Sequence, residues 1–287
     1  MTANGISQWI FENEPQLRMG VFFGVLGAVA LWEAARPRRA RRVSRMVRWP
    51  ANLGIVALNT VVLRLLFPVA AVGVAVQAGE RGVGLFNVWE LPGWLAVVLT
   101  VIILDFAIYL QHLMFHAVPV LWRLHRMHHA DLDFDVTTGA RFHPVEIVLS
   151  MGIKIGLVIL LGAPAVGVVI FEIILNMTAM FNHGNIKLPE SVDRVLRLFV
   201  VTPDMHRVHH SRWRMETDSN YGFNLPWWDR LCGTYRAQPV DGHEGMTIGI
   251  EDYQDASYLR LDRMLAQPFY EAPNADAIKK KREETRA

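Results

Sequence analysis

Cysteine is nearly absent from this chain: Cys232 stands alone among 287 residues. A single thiol excludes an intramolecular disulfide and a thiolate metal cage. Neither a GxGxxG turn nor a Walker phosphate loop occurs, so no signature for a nicotinamide, a flavin or a nucleotide is present. No segment repeats at a fixed period. Charge of one sign is also lacking, with 29 Lys and Arg against 27 Asp and Glu, and the total does not suggest a nucleic-acid partner. What the chain has in quantity is apolar side chains, 52% of it, with a mean hydropathy of +0.21. That is too apolar for an ordinary soluble domain of this size and reads as a membrane protein.

A helix needs about 20 mostly apolar residues to cross a bilayer, and four windows qualify. They run from Gly20 to Ala34, Ala51 to Ala78, Leu91 to Phe115 and Val145 to Phe181. The last is long enough for two passes or a re-entrant hairpin, broken at Gly162, Ala163 and Pro164. The first follows a polar segment with Glu12, Glu14 and Arg18 and lacks a small-residue cleavage site, so it is expected to be a retained span. Arg64, inside the second window, must face protein, water or a headgroup. Arg36, Arg38, Arg39, Arg41, Arg42, Arg45 and Arg48 crowd the loop after the first window, which the positive-inside rule places in the cytoplasm. The third window then returns to the cytoplasm near His112, and everything after His183 stays there. The aromatic, polar stretch after residue 184 is expected to form a cytosolic cap, and the charged tail from Ala275 to Ala287 a frayed or disordered end. The expected fold is an all-α polytopic membrane bundle of about four to five spans or re-entrant helices under a helical cap. Its divisions are residues 1–92, with the first spans and the basic loop, 93–240, with the chemistry, and a polar tail 241–287.

Histidine is the residue that speaks. Ten of the 11 histidines lie between residues 112 and 210. They are His112 and His116; His125, His128 and His129; His206, His209 and His210; and, standing singly, His143 and His183. Spacings of i, i+3 and i+4 put side chains on one face of a helix. Imidazole is also the commonest neutral metal ligand. Iron, zinc, copper and nickel all suit an all-imidazole set, and so many ligands fit two ions with about four or five each. A structural zinc takes four ligands and a hydrolytic zinc about three plus water, which leaves histidines over. Pro144 reads as the first turn of a helix, bringing His143 to the membrane surface near the clusters as a further candidate. His243, in a polar loop, is expected to be solvated.

Metal-bound imidazoles usually hand their second N–H to a carboxylate or carbonyl. Asp105, Tyr109, His112 and His116 fall on one helical stripe, so Asp105 and Tyr109 are candidates for that supporting role. Asn220, in the turn-rich run Asp218 to Gly222, is another. Asp204 is expected to cap the helix that bears His206.

The histidine boxes, taken with RFHPVE, VTPDMHRVHH, SNYG and WDRLCGTY, resemble the fatty acid hydroxylase and sterol desaturase superfamily of membrane di-iron enzymes. The resemblance covers roughly residues 95–240, and Phe181 through Trp228 is further similar to the alkylglycerol monooxygenase branch and its bacterial relatives. It implies a helical anchor and two iron ions on the cytosolic side. It also implies dioxygen as co-substrate and hydroxylation or desaturation of a lipid C–H bond. His112, His116, His125, His128, His129, His206, His209 and His210 take the ligand roles by resemblance. Two positions depart from the pattern. Lys187 stands four residues after His183, where one branch has a second histidine, and Cys232 replaces a frequent phenylalanine. No redox module is recognisable, so electrons are expected from a separate protein, with the whole expected in a bacterial inner membrane. The alternatives are a desaturase on the same site, a zinc hydrolase and a metal transporter.

Overall fold

The computed structural model describes residues 3–270, and most of them are helical. Among the described residues the only extended pairings are two isolated bridges, Pro37 with Ile186 and Ser211 with Ile248. The first half contains α1 (Ala3–Glu12), α2 (Glu14–Ala35), α3 (Arg45–Leu66), α4 (Ala70–Glu80), α5 (Leu85–Val88) and α6 (Gly93–Ala117). The second contains α7 (Pro119–His129), α8 (Pro144–Leu161), α9 (Ala165–Asn182), α10 (Glu190–Leu196) and α11 (Pro203–His209), followed by short turns of helix that form the cap. Among the described residues five stretches are long and apolar enough to cross a membrane: α2, the Arg45–Val88 region, α6, α8 and α9.

The hairpin expected at Gly162 forms. Gly162 ends α8 at φ 62, a left-handed conformation that glycine adopts without a steric penalty, and Pro164 then starts α9. The window from Ala51 to Ala78 differs from expectation: it is two helices, because Pro68 cannot continue α3 and Ala70 turns through φ 52. Of the polar residues expected ahead of the first span, Glu12 ends α1 while Glu14 and Arg18 lie within the spanning helix. Arg18 bonds Glu14 at 2.7 Å and reaches Glu172 of α9 at 2.5 Å, while Lys154 of α8 bonds the other Glu172 oxygen at 2.5 Å. Charges inside a bundle persist when paired in this way.

α9 packs against α2, α4 and α6 and is the most enclosed of the five stretches. The segment after α7 is held from below by Arg48, fully buried on α3. Its guanidinium bonds both oxygens of Asp131 at 2.7 Å and Asp135 at 2.6 Å. Glu33 of α2 ties the same region to the end of α9, accepting from the backbone N–H groups of Val136 and Asn185 at 2.8 Å each. The ends of α6, α7, α9 and α11 are thereby brought to one place.

Candidate metal centre

Nine histidines meet there in two groups. His112, His116, His125, His129 and His209 form one, His128, His183, His206 and His210 the other, and within each group the donor atoms lie within 4.8 Å of one another. All nine side chains are buried. The division follows from helix geometry, since successive residues point about 100° apart. α7 therefore sends His125 and His129 to the first group and His128 to the second. α11 splits likewise, His209 to the first and His206 to the second, with His210 just past its end.

The protonation pattern within the groups shows what they need. His112 Nδ1 faces the Tyr221 carbonyl at 2.8 Å, His209 Nδ1 the Ser219 carbonyl at 2.7 Å and His125 Nδ1 a Glu146 oxygen at 2.7 Å. A neutral ring whose Nδ1–H is so engaged presents a bare lone pair at Nε2. Yet His112 Nε2 sits 3.1 Å from His125 Nε2 and 3.0 Å from His209 Nε2. In the second group His183 donates from Nδ1 to the Ala179 carbonyl at 2.7 Å. Its Nε2 lies 3.2 Å from His128 Nε2 and 3.1 Å from His206 Nε2. Converging lone pairs repel unless a cation lies among them. Ligands about 2.0–2.1 Å from one ion stand roughly 2.9–3.4 Å apart, which is the spacing found. His116 Nε2 and both nitrogens of His129 and His210 are buried with no protein partner, as metal-binding atoms are when only protein is considered. The donor groups contain no carboxylate and no sulfur, and Cys232 is exposed. The residues therefore fit a pair of imidazole-binding divalent ions.

Burial favours the neutral form of six of these rings. It lowers His183 and His209 to about 3, and His128, His129, His206 and His210 well below the usual imidazole value, with neighbouring histidines adding to the effect. A neutral imidazole is the form that ligates.

His143, expected near these groups, stands outside both. It caps α8, Nδ1 accepting from the Val145 N–H at 3.2 Å and Nε2 donating to the Leu265 carbonyl at 3.2 Å. With both nitrogens engaged it offers no free donor to a metal, because the proline that starts α8 turns it into the N-cap. Asp105 bonds the Trp228 indole at 2.7 Å and the Leu225 N–H at 3.2 Å, fastening the cap to α6 with no bond to a histidine. Tyr109 pairs with Thr234 at 3.0 Å. Asn220, at φ 51, bonds the Met205 and Arg236 carbonyls at 2.8 Å each. It shapes the turn whose neighbours, Ser219 and Tyr221, present the carbonyls to His209 and His112. Thr202, not Asp204, caps α11, accepting from the Met205 N–H at 3.4 Å. Asp204 pairs with Arg207 and, at 3.3 Å, with Arg38. His243 is buried, not solvated, 3.6 Å from Asp204, and burial lowers it to about 4.

The group missed in the sequence is Glu146, the carboxylate on His125. Its signal was a glutamate in the first turn of an apolar helix with no basic residue spaced to pair with it. Asp218, 3.4 Å from His116 Nδ1, was visible only as part of a turn. Between the spanning helices and the first group lies a cavity of about 240 Å³, with Phe22, Val56, Ile108 and Leu175 among its walls and His112 and His125 at one side.

Helices of membrane-crossing length joined to a buried, all-histidine double cluster that could hold metal mark the class as a membrane protein with a candidate metal centre. Residues 97–234 match the fatty acid hydroxylase family; this stretch, which holds all nine clustered histidines, is a domain of that family. The chain is 31% identical over 195 residues to an ornithine lipid hydroxylase, OlsE, of Rhizobium tropici, covering 68% of this chain and 56% of that protein. It is 29% identical over 177 residues to the alkylglycerol monooxygenase of Homo sapiens, covering 59% and 37%. To the Xenopus tropicalis enzyme of that name it is 28% identical over 209 residues, covering 71% and 45%. The matches thus span about half the length of these relatives or less. No solved structure matches the chain.

Proposed function

We propose that the nine clustered histidines hold two iron ions and that the protein hydroxylates a C–H bond of a membrane lipid with dioxygen, at the cytoplasmic face of the membrane. The observation that carries this reading is the pair of adjoining imidazole groups with converging Nε2 lone pairs, set beside a largely apolar cavity among the spanning helices. The names of the relatives, hydroxylases and monooxygenases of lipids, support it. Residues 93–240 form the catalytic region in this proposal, and the basic loop after α2 marks the cytoplasmic side.

The iron pair, when bound, supplies dioxygen activation and hydrogen removal from carbon. The chain supplies position. Glu146 and the carbonyls of Tyr221, Ser219 and Ala179 fix the rings of His125, His112, His209 and His183 in the tautomer that ligates. The cavity brings a lipid chain from the bilayer to His112 and His125 and excludes bulk water from the reacting carbon. Converting a C–H bond and dioxygen to an alcohol and water consumes two electrons and two protons, and a separate electron-carrier protein delivers the electrons.

Protein grown with iron-57 and purified in detergent tests the reading by metal analysis and Mössbauer spectroscopy. Two coupled irons per chain are expected, and a His128→Ala, His209→Ala double variant, which removes one ligand from each group, should lose them. Stoichiometric zinc that anaerobic iron reconstitution does not displace would refute it in favour of a hydrolase.

A further inference from the structure

α10 is turned the wrong way round for a helix in water. Its charges face the protein: Asp193 and Arg197, which follows the last turn, are buried and paired with each other, and Arg197 also donates to the Ala237 carbonyl at 3.1 Å. Its valines face outward, Val192 exposed and Val195 57% exposed. Leu198 and Phe199 continue that face, Phe199 at 58%, and the one-turn helix Trp227–Leu231 adds Trp227 and Leu231, the latter 76% exposed. The two pieces adjoin, because the Trp227 indole donates to the Leu198 carbonyl at 2.8 Å. Six large apolar side chains thus form one outward face, and a protein surrounded by water rarely leaves such a face uncovered.

The height of this face along the spans says what covers it. Trp228, in the same short helix, donates to Asp105 of α6 at 2.7 Å. Asp105 precedes His112 by seven residues, so it lies about 10 Å down the helix from the histidines. Asn224 accepts from the Thr178 hydroxyl of α9, and Thr178 is four residues inside the end of α9 at Asn182, about 6 Å. α9 has 18 residues and so a length of about 27 Å, against about 30 Å of hydrocarbon to cross. The crossing takes its whole length, and whatever is fastened beside Thr178 and Asp105 lies about 6–10 Å inside the bilayer boundary. An amphipathic helix lying in the interface buries its apolar face by about 5–10 Å. The face also runs on into the flank of a span: Phe106 of α6 packs on Trp228 with ring centroids 4.7 Å apart, and Leu110, one turn further along α6, is exposed. Arg194 and Arg230, both exposed, border it, as long basic side chains do where they reach headgroup phosphates.

We infer that α10 and the helix Trp227–Leu231 are seated in the bilayer leaflet on the histidine side, and that the lipid of that leaflet is the partner of their apolar face. This flank of the cap is a wedge in the membrane, fastened to α6 and α9, and not a surface in water. The inference concerns anchoring, goes beyond the oxygenase reading and holds whatever metal the histidines bind.

The test is a depth measurement on the full-length protein in lipid nanodiscs of phosphatidylethanolamine and phosphatidylglycerol, wide enough for two copies. Phe199→Cys and Leu231→Cys are each made together with Cys232→Ser, so that one thiol takes a nitroxide label. Glu244→Cys, in an exposed turn of the cap, is the control in the same background. Oxygen concentrates in hydrocarbon and a neutral nickel chelate in water, so power-saturation EPR with the two reagents reads the surroundings of each label. The ratio of oxygen to nickel accessibility at 199 and at 231 should exceed that at 244 several-fold. Thermal midpoints and metal content equal to those of the unsubstituted protein establish that a labelled variant is folded, and should one variant fail to fold, the other position decides. Nickel accessibility at 199 and 231 equal to that at 244 overturns the inference. Exclusion of both reagents with dipolar broadening between labels, the mark of a second copy on this face, overturns it as well. The two readings fail separately: stoichiometric zinc would sink the oxygenase and leave the ratios unchanged, while two coupled irons in a protein whose labels meet the nickel chelate would sink only this inference.

Discussion

Replacing Gly139 with alanine should empty one half of the metal centre and leave the other half filled. Gly139 lies in the short 3-10 turn Thr138–Ala140 under α9. A Cβ added there would stand 2.5 Å from the Ala179 carbonyl oxygen, 2.9 Å from its carbon and 3.1 Å from His183 Nδ1. Ordinary contact begins near 3.4 Å, so the carbonyl or the turn must give way by about 0.9 Å, beyond the roughly 0.5 Å within which a functional group must be held. The atom displaced is the acceptor that orients His183, 2.7 Å from its Nδ1. Overpacking of this kind costs about 1–3 kcal/mol. Metal analysis of the purified variant should show about half the wild-type content, the loss falling on the group of His128, His183, His206 and His210, with a lower thermal midpoint. Gly152→Ala, on α8 with nothing within 4 Å of its added Cβ, should keep full metal content. A Gly139→Ala protein with undiminished metal and an unchanged midpoint would refute the argument that this turn sets the position of His183.

Acid should release the metal and loosen the cap. Six clustered histidines are lowered by burial, His183 and His209 to about 3. The unfolded chain therefore binds more protons than the folded one below about 6.5. Stability is complete above that value and is lost as pH falls below it; metal content followed from pH 7.5 downward should collapse within about one to two units of 6.5. Full retention at about pH 4 would contradict the assignment. Arg48→Met should cost about 3–5 kcal/mol by leaving Asp131 and Asp135 buried without their cation. Adding Asp131→Asn and Asp135→Asn should restore much of the thermal midpoint, and no recovery would refute the electrostatic account. Thr202→Ala removes the cap of α11 and should cost about 1 kcal/mol, seen as a lower midpoint with metal still bound at neutral pH.

The sequence made the histidine clusters legible because helical spacing translates directly into a shared face. The eight box histidines and His183 that it singled out meet in the two groups, and the hairpin at Gly162 forms. It could not show how the boxes divide. His128 and His129 are neighbours in the chain, and only the meeting of α7 with α11 and α9 sends them to different groups. His143 misled because a histidine before a proline looks the same whether it faces a metal or caps the helix; the deciding partner, the Leu265 carbonyl, lies 122 residues away. Asp105 sat on the right stripe, yet the indole of Trp228 claimed it. Glu146 escaped for the same reason in reverse, its histidine partner being supplied by another helix. The tail from Ala275 onward lies outside the described residues.

Arg48 shows how far the histidine region depends on what precedes it. This side chain, with Glu33, Asn52 and Asn59, comes from the first 92 residues, while the family match begins at residue 97. Asn52 reaches Thr137 at 3.0 Å and accepts from Arg141 at 3.1 Å. The histidine region thus borrows its foundations from the helices that precede it. A chimera that grafts residues 93–240 onto foreign spans would inherit the histidines and lose the counter-ion beneath them. The modular unit that evolution or an engineer can move is therefore larger than the stretch by which the family is recognised.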